Sequence, residues 1–133
     1  MAYAYSNNQT TVTDEAGNAR RYTYNAIGQM TKVEEPNPTL STAAVTNYTY
    51  FASGTLYQSE QAGQLRTFVY DYLGRMTTQT LPESGTTAFA YDDAGRLTSK
   101  IDARGITTTF TYDNLDRATG KAYSDGTPAV SFG

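Results

Sequence analysis

The fold is decided by one stretch of sequence, residues 89–113, which reads FAYDDAGRLTSKIDARGITTTFTYD. It begins with the segment 89–92 (FAYD) and ends with a second copy of it at 110–113 (FTYD). Two segments that start with Asp and end with Gly lie between them, at 92–95 and 102–105. Asp at the first position of a turn accepts backbone N–H groups, and Gly at the fourth accepts the positive φ of a hairpin. The stretch therefore predicts short β-strands joined by tight turns.

The aromatic-x-Tyr segment of this stretch recurs along the whole chain. Its second tyrosine falls at Tyr24, Tyr50, Tyr70, Tyr91 and Tyr112, with gaps of 26, 20, 21 and 21 residues. Four residues later comes a turn residue, which is Gly28, Gly54, Gly74, Gly95 or, in the last copy, Asp116. Self-similarity at a fixed period indicates a repeat protein. We therefore interpret residues 1–133 as a single array of about five to six repeats near 21 residues.

Each repeat divides again into two strands. Turn-like residues follow one another about every ten residues from Gly54 onward, which leaves about six residues for each strand, a common strand length. The 23 Thr, 12 Tyr and 5 Phe of the chain suit a pleated, half-buried surface. We predict an all-β fold, a coiled antiparallel β-meander of eleven or twelve strands. Two prolines, Pro36 and Pro38, cannot donate to a sheet and predict a longer loop at about 34–44.

Residues 89–113 closely resemble the YD (tyrosine–aspartate) repeat of Rhs proteins, and the resemblance extends over essentially the whole chain. The family comprises large secreted or surface proteins, including bacterial Rhs toxins, the encapsulating subunits of insecticidal toxin complexes and animal teneurins. The resemblance implies a β-sheet that spirals into a hollow shell. No segment resembling a self-cleaving region or a toxin domain is recognisable. The structural repeat motif comprises Tyr24, Gly28, Tyr50, Gly54, Tyr70, Asp71, Gly74, Arg75, Tyr91, Asp92, Gly95, Arg96, Tyr112, Asp113 and Arg117.

Composition excludes several classes of function. The chain has no Cys and no His, which excludes thiol nucleophiles, imidazole bases and the usual zinc ligands, so no cofactor or metal is expected. A net charge of -3 argues against nucleic-acid binding. No apolar run is long enough for a membrane span, and residues 1–5 (MAYAY) do not resemble a signal peptide. A secreted or cell-surface location is implied by the family resemblance alone.

Charged residues near the turns have two interpretations. The pairs Asp71/Arg75, Asp92/Arg96 and Asp113/Arg117 form either a charged binding rim or caps of the turns. The adjacent carboxylates Asp92-Asp93 and Glu34-Glu35 suggest a glycosidase pair only formally, because neighbouring strand residues point to opposite faces. We therefore expect no enzymatic activity.

The stripe of Tyr and Phe side chains also has two interpretations, a packing face of the sheet or a sugar-binding platform. Two functions follow: a structural module of a larger Rhs-like secreted shell, or a carbohydrate-binding surface adhesin. The segments Tyr3-Ala4-Tyr5 and 130–133 resemble parts of further repeats, so their strands should have unpaired backbone groups. We expect association with neighbouring repeats or self-association through these edge strands, as a dimer or a filament.

Overall fold

A computed structural model describes residues 1–36 and 43–132 of the chain. Turn residues that are spaced about ten positions apart divide these residues into short strands. Over these residues the chain contains thirteen β-strands and no helix. The predicted all-β antiparallel meander is confirmed, although the strand count exceeds the expected eleven or twelve. The chain divides into two units, Met1–Thr67 and Phe68–Gly133, which are described separately.

Unit 1 contains six complete strands and the beginning of a seventh, and each pairs antiparallel with the next strand of the unit. The strands are β1 (Ala2–Ser6), β2 (Gln9–Thr13), β3 (Ala19–Tyr24), β4 (Met30–Glu35), β5 (Ala44–Tyr50), β6 (Leu56–Gln61) and β7 (Gln64–Tyr70), the last of which crosses into unit 2.

Unit 2 contains the end of β7 and six further strands, and from β8 onward each pairs antiparallel with the next. They are β8 (Met76–Leu81), β9 (Gly85–Tyr91), β10 (Leu97–Ile101), β11 (Thr107–Tyr112), β12 (Ala118–Tyr123) and β13 (Val130–Ser131).

The hairpins that follow β3, β5, β9 and β11 share a β-bulge beside the motif tyrosine. The register shifts between Thr49 and Tyr50 in unit 1, and between Thr111 and Tyr112 in unit 2. A glycine or its substitute with positive φ then closes the turn, as at Gly54 (φ 92°) and Asp116 (φ 62°). We call the turns that follow β3, β5, β7, β9 and β11 the odd turns, because they share the same backbone hydrogen bonds: residues 25–29 and 51–55 in unit 1, and 71–75, 92–96 and 113–117 in unit 2.

Strand alternation separates an aromatic face from a polar one. In β11, Phe110 and Tyr112 are half-buried on the side of Thr108, whereas Thr109 and Thr111 are exposed. In β5, Tyr48 and Tyr50 are half-buried, whereas Asn47 and Thr49 are exposed. Each unit therefore has the two-faced strands that the sequence predicted.

The aromatic face does not produce a buried core. Among the described residues no hydrophobic side chain is fully buried, and the one buried polar residue is Thr108, at 8% exposure. A single layer of sheet cannot enclose its own apolar face, so the aromatic side chains keep part of their surface accessible.

The ends of two strands overlap the loop predicted at about 34–44. Strand β4 continues through Glu34 and Glu35, which pair with Val45 and Ala44 of β5. The strand ends at Glu35, directly before Pro36, which has no N–H to donate. Residues 37–42, the middle of the predicted loop, lie outside the described residues.

Candidate functional site: the side chains that join successive repeats

Each odd turn of unit 2 is closed by its first aspartate. In the turn 71–75, the Asp71 backbone N–H donates to the Arg75 carbonyl at 2.9 Å, and the Gly74 N–H donates to the Asp71 carbonyl at 3.0 Å. The Asp71 carboxylate Oδ1 accepts the N–H groups of Leu73 at 3.0 Å and Arg75 at 2.9 Å. The side chain therefore satisfies turn N–H groups that the strands leave without a partner.

The other two turns of unit 2 repeat this arrangement. Asp92 Oδ1 accepts the Arg96 N–H at 2.9 Å, and Asp113 Oδ1 accepts the Arg117 N–H at 3.0 Å. Gly95 has φ 85°, and Asp116 replaces glycine at φ 62° with its N–H 3.1 Å from the Asp113 carbonyl. Asp can occupy this position because it enters the left-handed region more readily than most residues.

The arginine after each turn binds back to the same carboxylate. The Nε atoms of Arg75, Arg96 and Arg117 each lie 2.7 Å from Oδ2 of the aspartate four residues earlier. In the case of Asp92, hydrogen bonds from the Arg96 side chain and backbone lower the pKa below its ordinary 3.8. Partial burial of Asp71 raises its pKa, but hydrogen bonds from Arg75 outweigh burial and the net pKa is lowered. These carboxylates are therefore turn caps held in their charged form.

Unit 1 builds the same turn from neutral groups. Asn25 Oδ1 accepts the Gln29 N–H at 2.9 Å, and Asn25 Nδ2 donates to Gln29 Oε1 at 2.7 Å. The backbone bonds of this turn match those of unit 2, and Gly28 has φ 83°. In the next odd turn Phe51 replaces the capping residue, and the backbone bonds of Phe51 and Gly54 remain. The turn geometry is thus independent of the charge of its cap.

The motif tyrosines join one repeat to the repeat before it. The Tyr91 hydroxyl donates to the Met76 carbonyl and the Tyr112 hydroxyl to the Leu97 carbonyl, both at 2.8 Å. In unit 1, Tyr50 donates to the Met30 carbonyl at 2.7 Å. Each acceptor is the residue that follows the Arg or Gln of the preceding odd turn. The bond therefore joins each of these tyrosines to the preceding repeat, and partial burial of Tyr50 raises the pKa of its hydroxyl.

In two repeats of unit 2, the arginine after the turn glycine makes the matching contact in the opposite direction. The Arg75 guanidinium lies 4.9 Å from the centre of the Tyr91 ring, and its Nη1 donates to the Asp92 carbonyl at 3.1 Å. Arg96 likewise lies 5.2 Å from the centre of the Tyr112 ring, and it pairs with the Asp116 carboxylate at 2.7 Å. These are the distances of cation–π contacts.

Unit 1 again has a neutral equivalent, since Gln29 Nε2 donates to the Gly54 carbonyl of the next odd turn at 3.2 Å. We call the tyrosine bond together with this Arg or Gln contact the inter-repeat staple. The predicted motif contains the tyrosines and arginines of the staple but not Gln29, and the bonds themselves were not predicted from the sequence. A signal existed in the constant spacing of 15 residues from Met76 to Tyr91 and from Leu97 to Tyr112.

The remaining motif residue of unit 1, Tyr24, is bound through its backbone. Its N–H donates to the Asn8 carbonyl at 2.9 Å, and Asn8 Nδ2 donates to the Tyr24 carbonyl at 2.7 Å. The turn between β1 and β2 is thereby attached to the end of β3. The motif residue Tyr70 lies half-buried at the end of β7.

Of the adjacent carboxylates that could suggest a glycosidase, Glu34 and Glu35 both lie in ion pairs. Glu34 is 2.9 Å from Lys32 and 3.4 Å from Arg21, and Glu35 is 2.8 Å from Arg20. Within the described ranges no cluster of three or more acidic residues could hold a metal ion. The same residues include no helix long and apolar enough to cross a membrane.

Comparison with known proteins identifies the family. The family model described as RHS Repeat matches residues 5–39 and 91–128. No curated protein matches the chain in sequence.

Several solved structures share the fold. The Tc holotoxin pore of Photorhabdus luminescens matches over 97% of this chain and 8% of its own, with a TM-score of 0.74 and 15% identity. The TcdB2-TccC3 structure without its hypervariable C-terminal region matches over 87% of this chain and 7% of its own, with a TM-score of 0.67 and 17% identity. The chain thus spans less than a tenth of these structures. The family model covers more than half of the residues, and the chain belongs to the RHS repeat family.

Proposed function

We propose that this chain is a structural module that contributes repeats to the wall of a larger secreted shell or surface assembly. The inter-repeat staple is the observation that carries the proposal. Its tyrosine hydroxyls and guanidinium groups, the chemically versatile groups of the motif, bind the adjacent repeat. A module that uses these groups for stacking repeats needs no catalytic group, and we propose that it performs no chemistry of its own.

The half-buried aromatic face supports the same function. Tyr and Phe side chains recur on one face of each unit without forming a closed core within the described residues. Repeat proteins gain stability from the interface between neighbouring repeats, so that each added repeat contributes. The resemblance to shell-forming Rhs proteins suggests that further repeats of one array complete this surface in the assembled protein.

A repeat insertion tests the proposal. A second copy of residues 92–112 is inserted directly after Tyr112, and unfolding by urea is followed by circular dichroism at low protein concentration. We expect the β spectrum to be retained and both the free energy of unfolding and the denaturant slope to increase, since the slope scales with the surface exposed on unfolding.

The matched control carries the same insertion with its motif tyrosine changed to Phe and its motif arginine changed to Gln. It should fold but gain less stability than the intact insertion. An intact insertion that lowers stability, or that is cut by protease as an unfolded loop, would contradict the repeat-module function.

Glycan binding is the second candidate, favoured by exposed aromatic rings. Phe51 and Tyr57 in unit 1 have ring centres 4.9 Å apart, and each is nearly 40% exposed. In unit 2, Tyr72 is 94% exposed. A saturation-transfer NMR screen against a panel of glycans tests it, with Tyr57→Ala as the variant that should abolish binding and Tyr3→Ala as the control.

A further inference from the structure

Four of the five odd turns begin with a side chain that caps the turn. The first residue is Asn25 in unit 1, and Asp71, Asp92 or Asp113 in unit 2. In each case its Oδ1 accepts the N–H of the residue four positions later, at 2.9 to 3.0 Å. All four capping residues are half-buried. The cap therefore adds a side-chain hydrogen bond to the two backbone bonds that close these turns.

The turn 51–55 has the same backbone bonds with a different first side chain. The Phe51 N–H donates to the Thr55 carbonyl and the Gly54 N–H donates to the Phe51 carbonyl, both at 2.9 Å. The phenyl group of Phe51 has no oxygen that could accept the N–H of Thr55. Its ring instead lies 4.9 Å from the ring centre of Tyr57, and Phe51 is 39% exposed. An exposed ring thus occupies the position at which the other odd turns have a half-buried acceptor.

The last residue of the turn 51–55 differs as well. The other odd turns have Gln or Arg at this position, and that side chain binds its own cap, as Gln29 binds Asn25 at 2.7 Å. Thr55 replaces it, and its Oγ1 lies 2.9 Å from the hydroxyl of Ser53 within the same turn. The turn 51–55 therefore differs from the other four in both members of the capping pair.

Side chains at the preceding repeat do not replace the cap. Gln29 Nε2 donates to the Gly54 carbonyl at 3.2 Å, and the Tyr50 hydroxyl donates to the Met30 carbonyl at 2.7 Å. Both bonds attach this hairpin to the repeat before it. Neither provides an acceptor for the Thr55 N–H, because both end on a carbonyl that itself accepts. The hairpin is thus attached firmly to its neighbour while its own turn is closed by fewer bonds.

We propose that the turn 51–55 is a built-in opening point of the array, at which the ladder of β5 and β6 separates from its turn end by local unfolding while the hairpin of β3 and β4 stays closed. Segments held by few bonds and exposed to solvent open at a lower free energy than the rest of a fold. The inference goes beyond the proposed repeat-module function, because it assigns the module a flexible point that the stacking of repeats does not require.

Native-state hydrogen exchange of the 133-residue chain, measured by NMR, tests the proposal. The protection factors of the Phe51 and Gly54 amides are compared with those of the Asn25 and Gly28 amides, which make the same two backbone bonds in the same unit. We expect protection to be at least about fivefold lower at Phe51 and Gly54, the factor that corresponds to the net strength of one average hydrogen bond. Equal protection in the two turns would overturn the inference.

A capped variant gives the decisive result. Phe51→Asn with Thr55→Gln gives this turn the side chains of the turn 25–29, and it should raise the protection of the amides at positions 51 and 54 at least about fivefold. The matched control is Phe51→Leu with Thr55→Gln, which changes the same two positions without an acceptor and should not raise it.

Unchanged protection in the capped variant, or an equal rise in the control, would overturn the inference. The repeat insertion after Tyr112 measures the stacking of an added repeat in unit 2, whereas hydrogen exchange reports on one turn of unit 1. Failure of this inference is therefore distinguishable from failure of the proposed function.

Discussion

Units 1 and 2 contain the same odd turn with different side chains. In the turn 25–29 of unit 1 the cap is the amide pair of Asn25 and Gln29, whereas in the turn 92–96 of unit 2 it is the ion pair of Asp92 and Arg96. The backbone bonds agree within about 0.2 Å, and both glycines have φ near 84°. The comparison shows that hydrogen-bond geometry determines the shape of the turn, whereas the cap can be either a charged pair or a neutral one.

We expect the largest loss of stability when the turn glycine is replaced, in either unit. Gly28→Val and Gly95→Val should each destabilise by about 1–3 kcal/mol, because a β-branched residue resists positive φ. A Cβ added at Gly28 would have no neighbouring atom within 4 Å, and one added at Gly95 would lie 3.9 Å from a nitrogen of a flexible arginine side chain. The loss of stability is therefore conformational in origin and similar in both units. Urea unfolding measures it.

Two further variants serve as controls for this comparison. Asp93→Ala should be nearly silent because Asp93 occupies a permissive turn position. Gly95→Asp should cost less than Gly95→Val, since Asp116 already occupies the equivalent position at φ 62°. Equal losses of stability for Asp93→Ala, Gly95→Val and Gly95→Asp would contradict this explanation of the turn.

Removal of the tyrosine hydroxyl should cause the next largest loss of stability. Tyr112→Phe in unit 2 and Tyr50→Phe in unit 1 should each cost about 0.5–1.5 kcal/mol, since each removes one neutral hydrogen bond to a carbonyl. The two losses should be alike because this bond has no charged partner in either unit. A silent Tyr50→Phe beside a costly Tyr112→Phe would show that the staple works in unit 2 alone.

Exchange of the caps should have a smaller effect than loss of the hydroxyl. Asp92→Asn keeps an acceptor for the Arg96 N–H and removes only the ion pair, so the turn should persist with a small loss of stability. The reciprocal Asn25→Asp places a carboxylate beside the neutral Gln29 and should also retain the turn. Thermal unfolding checks both, and Asp92→Ala, which removes the acceptor, should be clearly worse than Asp92→Asn.

The smallest effect is a difference in acid response between the two turns. The folded-state pKa of Asp92 is lowered, so its stabilising contribution is present above pH 3.8 and is lost as the pH falls through the folded pKa. The Arg96 amide proton, bonded to Asp92, should therefore shift during an NMR titration below pH 4. The Gln29 amide, bonded to the neutral Asn25, should not follow that titration; identical titration of the two amides would contradict the comparison.

The turns and strands were predictable because the interactions that form them are local. Arg75 lies in the same hairpin as the aspartate four residues before it and the glycine directly before it. Side chains alternate along a strand with a period of two residues, which assigns each of them to one face of the sheet. The end of β4 was not predictable in the same way. Glu34 and Glu35 look like loop residues beside Pro36, yet they remain in the strand, where Arg20, Arg21 and Lys32 pair with them.

The sequence alone determined the repeat, its hairpins and the all-β fold, since a hairpin depends on neighbours within about ten positions and the repeat shows in a motif that recurs about every 21 residues. Only the tertiary structure decided what the residues of this motif bind. Tyr91 reaches the Met76 carbonyl, and Arg75 reaches the Tyr91 ring, because two antiparallel hairpins lie side by side at one register. The physical reason is that a bond between repeats depends on the lateral position of strands far apart in sequence, which no local pattern specifies.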